Sequence, residues 1–297
     1  MLILQLGKIT AIFSYMPFIY QHQINQNSQL GVWHIAEEES FFLQKVPLQR
    51  HITHPHKRLQ HLAGRYLLTE LVPDFPLDLI QIADTRKPFL ANEAWHFSLS
   101  HCGDYAAAII SPTQRVGVDV ELVSEKVARV QGKFLGQEEL LMLHSQLGRV
   151  DSGQLTDEGS RWPLAGEQLG WTVDRGQLTE KGEGAGVGRE PLAVGRGQLT
   201  EDRRDASSPK PNSQFPIPNS QYPIPTTLLT ACWSIKEALF KWKGSGEIDF
   251  RQHLRIEQLH IKDNEGTAHC RILKDGDTPL TVYCLLFGGV CLSWVCS

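Results

Sequence analysis

The sequence predicts a mixed α+β protein on three observations. Runs that read as strand occur at both ends of the chain. Between them stand segments whose apolar residues return every three or four positions, as in helices. The two kinds follow one another in each half of the chain instead of segregating. The length of 297 residues allows one large domain or two small ones, and 41% hydrophobic with 21% charged residues suits a globular fold with an ample core.

Taken in order, residues 1–15 precede the first strand-like pattern. The apolar stretch 9–20 has no small-residue cleavage site and is broken by Pro17, so it does not read as a signal peptide. Met16 is a more natural start, and residues 1–15 read as an N-terminal extension. Residues 16–46 read as extended, with Leu30-Gly31-Val32-Trp33-His34-Ile35 alternating like a half-buried strand and residues 37–44 as a short helix. From Pro55 to Leu71 a helix is expected, with Leu59, Leu62, Ala63, Tyr66, Leu67 and Leu71 on its apolar side. Its other face carries Lys57, Arg58, His61 and Arg65. Residues 79–82 form a strand candidate before a turn at 84–88. Residues 95–100 and 105–110 form two more, joined by His101-Cys102-Gly103-Asp104. Residues 116–122 are the next strand, and 134–147 a helix beginning near Gly136.

Between about residues 149 and 227 the periodicity is lost. Gly-Gln-Leu-Thr begins at Gly153, Gly176 and Gly197, and residues 212–218 are nearly repeated at 219–225. Repeats this short and unevenly spaced match no solenoid. The segment reads as a disordered surface insertion, which a host fold tolerates because loop-closure entropy grows only logarithmically with length. A helix at 229–243 and strands at 254–261, 269–273, 280–287 and 290–295 complete the chain.

The net charge of −4 argues against a general nucleic-acid or anionic-membrane binder. No run reaches the roughly 18 apolar residues of a membrane span. The six cysteines form no C-x-x-C pair and read as small buried hydrophobes of a reducing compartment, so a cytoplasmic location is expected.

Two short motifs carry the chemistry. In Gly117-Val118-Asp119-Val120-Glu121, read as strand, the two acids share one face while the valines face a core. In Trp233-Ser234-Ile235-Lys236-Glu237-Ala238-Leu239-Phe240-Lys241, read as helix, Glu237 and Lys241 lie one turn apart. Folded together, three carboxylates and a lysine suit a hard cation beside a diphosphate. Alone, Glu237 and Lys241 are an ordinary surface ion pair.

Joined in order by Lys87-Pro88, Phe97-Ser98-Leu99-Ser100-His101 and Phe134-x-x-x-Glu138, these motifs resemble the 4′-phosphopantetheinyl transferases, in particular the larger Sfp-type enzymes with two fused halves. The resemblance covers the chain apart from residues 1–15 and the insertion. It implies two similar α+β halves, 16–114 and 115–297, meeting at a cleft (the pseudo-dimeric fold of that family). It implies a monomer that transfers the phosphopantetheine arm of coenzyme A to a serine of an apo acyl or peptidyl carrier protein. The second product is adenosine 3′,5′-bisphosphate. By the resemblance, Asp119, Glu121 and Glu237 hold Mg²⁺ and Glu237 is the base, with Glu121 the fallback. Lys241, Ser100 and His101 meet the diphosphate, and Lys87 with Pro88 the 3′-phosphate or adenine end. Lys57, Arg58 and Arg65 are candidates for the 3′-phosphate, and Glu138 or its rival Glu139 supports the site. His51, His54 and His56 lack a carboxylate or cysteine at ligand spacing, and Cys102 beside His101 does not read as a nucleophile. A non-catalytic module that binds coenzyme A or the carrier, and a Mg²⁺-dependent diphosphate hydrolase, remain as alternatives.

Overall fold

Strand β1 (Phe18–Asn25) turns back into β2 (Ser28–His34), which pairs along its other edge with β6 (Tyr105–Ser111). With β5 (His96–Cys102) they make a four-stranded antiparallel sheet in the order β1-β2-β6-β5. A second, five-stranded sheet has the order β7-β11-β10-β9-β8. It is built from β7 (Val116–Leu122), β8 (Leu254–Lys262), β9 (Glu265–Ile272), β10 (Thr278–Phe287) and β11 (Val290–Cys296). The small hairpin of β3 (Ile80–Ile82) and β4 (Pro88–Leu90) stands apart. The computed structural model describes residues 18–83, 87–151, 223–244 and 246–297, all within one compact unit. The mixed α+β class follows the reading of the sequence. The expected N-terminal extension, most of the insertion and most of the turn at 84–88 lie outside the described residues.

Helices α1 (Glu39–Leu43) and α2 (Pro55–Leu71) belong to the first sheet. Leu62, Leu67 and Leu68 of α2 pack on Trp33, Phe97, Ala106, Ala108 and Ile110. The alternate residues Leu30, Val32, Ala107 and Ile109 face the other way and meet Val116, Val118, Val120, Leu292 and Trp294 of the second sheet. The far side of that sheet is covered by α3 (Lys126–Phe134), α4 (Gln137–Asp151) and α5 (Thr226–Lys243). The layers therefore run helix, sheet, sheet, helices.

This layering corrects two expectations. β2 is buried on both faces rather than half-buried, because α2 covers one side and the second sheet the other. His61 and Arg65, expected on the outer face of α2, are buried with only 6% and 5% of their surface exposed. Two local differences follow from hydrogen bonding. The helix expected to begin near Gly136 starts at Gln137, where the Glu139 carboxylate takes the Gly136 N–H at 2.7 Å, and a separate helix that was not expected, α3, ends before it at Phe134. His101 and Cys102 lie within β5, not in the turn, which is made by Gly103 in the left-handed region (φ 53°) and Asp104. Among the described residues no helix is long and apolar enough to cross a membrane. All six cysteines are free and four are buried.

Candidate functional site

β5 and β7 lie side by side where the two sheets meet, but serine hydroxyls rather than a backbone ladder join them. Ser98 Oγ accepts the N–H of Val118 and Ser100 Oγ that of Val120, each at 3.2 Å. The unladdered edge of β7 is satisfied this way, and Ser100 is brought against Asp119. On the opposite side β7 carries α5. The approach is so close that a Cβ on Gly117 would sit 2.2 Å from the carbonyl oxygen of Ala238 and 2.7 Å from the Trp242 nitrogen. Gly117 thus lets the helix lie directly on the strand beside Asp119 and Glu121.

Three segments meet there. Lys241 Nζ donates to Asp119 Oδ1 at 2.6 Å and to Ser100 Oγ at 2.7 Å, and Ser100 Oγ donates to Asp119 Oδ1 at 2.9 Å. Trp233 Nε1 donates to Glu121 Oε1 at 3.1 Å. Burial and then the nearby charge of Asp119 push Glu237 up to about 7, against the opposing pull of Lys241. The same two causes raise Glu121. The strand and helix motifs are therefore in contact, through Lys241 on Asp119 and Trp233 on Glu121. Lys241 makes its ion pair across to β7, not with the i−4 Glu237 of its own helix.

The donors fit a hard cation. Asp119 is buried, its Oδ2 has no hydrogen-bond partner, and two more acids crowd it with their ionisation disfavoured. Among the described residues no three acid, histidine or cysteine groups stand closed into a metal-holding set. Lys241 and Ser100 take the other oxygen of Asp119.

A band of positive charge flanks this cluster on the first sheet's side. Arg50, Lys57 and Lys241 all act on His101, which burial holds below the usual histidine range. His61 is driven down to about 3 by burial, Arg65, Arg50 and His101, so its ring is neutral. Arg65 donates to His61 Nδ1 at 3.1 Å, which leaves the buried Nε2 with no partner. Of the three basic candidates on α2, Lys57 and Arg65 belong to this band. Arg58 is turned away, to Glu39 at 2.7 Å and the Ile52 carbonyl at 2.9 Å. Arg50 was not among the expected residues; its one signal is the density of basic residues before α2, since it follows no helical or strand period.

Lys87 donates to the carbonyl of Lys241 and so caps the C-terminal end of α5, where the helix dipole favours a cation. Burial and Arg115 bring it down to about 8. With Pro88, Ser98, Phe240 and Lys241 it lines a cavity of about 190 Å³. A second hollow, about 530 Å³, opens beside Glu121, Leu122, Val127 and Trp233.

Glu139, not Glu138, is the buried acid of its helix. Glu138 is exposed and meets Arg255 at 3.3 Å, whereas Glu139 is paired to Lys236 at 2.8 Å. Neither joins the acid cluster: Glu139 supports it indirectly through Lys236, one residue before Glu237. His54 Nδ1 caps α2 at Lys57, and His56 meets Asp104 at 3.0 Å. Burial pushes the Cys102 thiol up to about 11, unsuited to a nucleophile. No protein-family model matches the chain, and no curated protein matches it.

Proposed function

We propose that this chain is a Mg²⁺-dependent 4′-phosphopantetheinyl transferase, a holo-[acyl-carrier-protein] synthase of two similar halves. It acts in the cytoplasm as a monomer on coenzyme A and an apo acyl or peptidyl carrier protein. The observation that carries this reading is the meeting of Asp119, Glu121, Glu237, Lys241 and Ser100 at one seam beside a band of cations.

The donor is a diphosphate with a separate 3′-phosphate. Arg50, Lys57 and Arg65 offer positive charge for the phosphates and His101 a ring that can hydrogen-bond them, next to acids that repel them unless a cation intervenes. Bound at Asp119, Glu121 and Glu237, Mg²⁺ would supply a charge clamp on the diphosphate oxygens. The carrier serine loses its proton as its oxygen bonds to the β-phosphorus. The bond from that phosphorus to the bridging oxygen breaks, and adenosine 3′,5′-bisphosphate leaves with the electron pair. Glu237, which faces Asp119 and Lys241 in the cluster, is the base we assign for the serine proton. Lys241 stands ready to balance charge on the leaving diphosphate oxygen. The 530 Å³ hollow beside Glu121, Val127 and Trp233 is where this reading puts the approach of the carrier's serine.

Incubation with coenzyme A, Mg²⁺ and an apo carrier, followed by the carrier's intact mass, tests this. A gain of roughly 340 Da, one phosphopantetheine, supports the transferase. No gain with tight coenzyme A binding points to a binding module. Cleavage of coenzyme A without a carrier points to a hydrolase.

A further inference from the structure

We propose that Lys241 is a resident counter-ion: its ammonium stands on Asp119 and is released when a divalent cation binds the acid cluster. This rests on the reading of Asp119, Glu121 and Glu237 as the cation site.

The contacts are those of a cation held in place. Lys241 Nζ is 2.6 Å from Asp119 Oδ1 and 2.7 Å from Ser100 Oγ. The Ser100 hydroxyl uses its full capacity, donating to Asp119 while accepting from Lys241 and from the Val120 N–H. The pair is unequal in freedom: Lys241 is 23% exposed, Asp119 only 3%. The flexible, partly solvated partner can move, and the carboxylate cannot. When the lysine leaves, Ser100 still holds Oδ1, so Asp119 keeps its orientation.

Charge gives the exchange a direction. The ammonium brings one positive charge to a group of three carboxyls, whereas a divalent cation brings two to the same place. The buried, unpartnered Oδ2 of Asp119 offers that cation an acceptor. Once the cation is there, the ammonium has no claim on Asp119 and is free for an anion. Metal and anionic substrate then favour each other, because each takes what the other's arrival sets free.

Two measurements on the whole chain decide it. In wild-type protein without substrate, Lys241 is labelled with an amine-acetylating reagent and quantified by mass spectrometry, with exposed Lys126 as the internal reference. Mg²⁺ should raise Lys241 labelling several-fold relative to Lys126; an unchanged or lower ratio overturns the exchange. By calorimetry, Lys241→Met should bind Mg²⁺ alone about tenfold more tightly than wild type. Coenzyme A should tighten Mg²⁺ binding in wild type far more than in Lys241→Met. Equal or weaker binding by Lys241→Met, or no Mg²⁺ binding by either protein, overturns it too. The transferase reading fails separately: Mg²⁺-dependent release of Lys241 in a protein that never modifies a carrier keeps the exchange and rejects the reaction.

Discussion

Lys236 Nζ has no exposed surface and is held by the carbonyls of Phe134, Phe250 and Leu254 and by Glu139, at 2.6 to 2.9 Å. Its neighbour Glu237 points to the acid cluster, so the first residue fixes the stretch of helix that aims the second. Lys236→Met leaves the Glu139 carboxylate buried without its cation. We expect a loss of about 3–5 kcal/mol in urea unfolding; a loss under about 1 kcal/mol would mean the pair is solvated and not a support. His61 gives a pH dependence. Its folded value of about 3 lies below the ordinary 6.5, so the unfolded chain binds the extra proton. Its contribution is constant above pH 6.5, and stability falls as pH drops from 6.5 towards 3. The urea midpoint of wild type should begin to decline below pH 6.5, and His61→Gln should flatten that decline. Matching profiles for the two proteins would contradict a buried neutral ring.

Among the elements, β7 and α5 define the site because they touch through Gly117. The Gly117→Ala methyl meets backbone atoms of α5 that have no room to give. We expect the helix to be forced off the strand, with lowered thermal stability and transfer activity down by an order of magnitude or more. Near-normal activity would show that the close approach is not required. Ser98→Ala tests the seam more gently. It strands the buried Val118 N–H at a cost of about 1–3 kcal/mol in chemical unfolding, and an unchanged midpoint would contradict the seam. The strand and helix motifs were legible because their periods put Asp119 with Glu121 and Glu237 with Lys241 on common faces. The need for glycine at 117 was not, because the atoms it makes room for belong to Ala238 and Trp242, far along the chain. The same limit hid the two-sided burial of β2, which depends on what covers it. The short helix α3 passed unread because its Val127, Val130 and Phe134 give too few turns to establish a period.

Across the whole molecule, the acids come from β7 and α5 on the second sheet, and the cations on the first sheet's side from α2 and the loop at Arg50. The site exists only where the sheets meet. The ordered motifs made the acid side readable. The cation side was readable in part: Lys57 and Arg65 joined it, Arg58 was drawn to Glu39, and Arg50 carried no periodic signal. The intact mass of an apo carrier protein after incubation with coenzyme A and Mg²⁺ tests the central claim most directly. The account predicts a gain of roughly 340 Da with wild-type protein, and none with folded Glu237→Gln or Asp119→Asn. An unmodified carrier after incubation with folded wild type, or full modification by both variants, would contradict it.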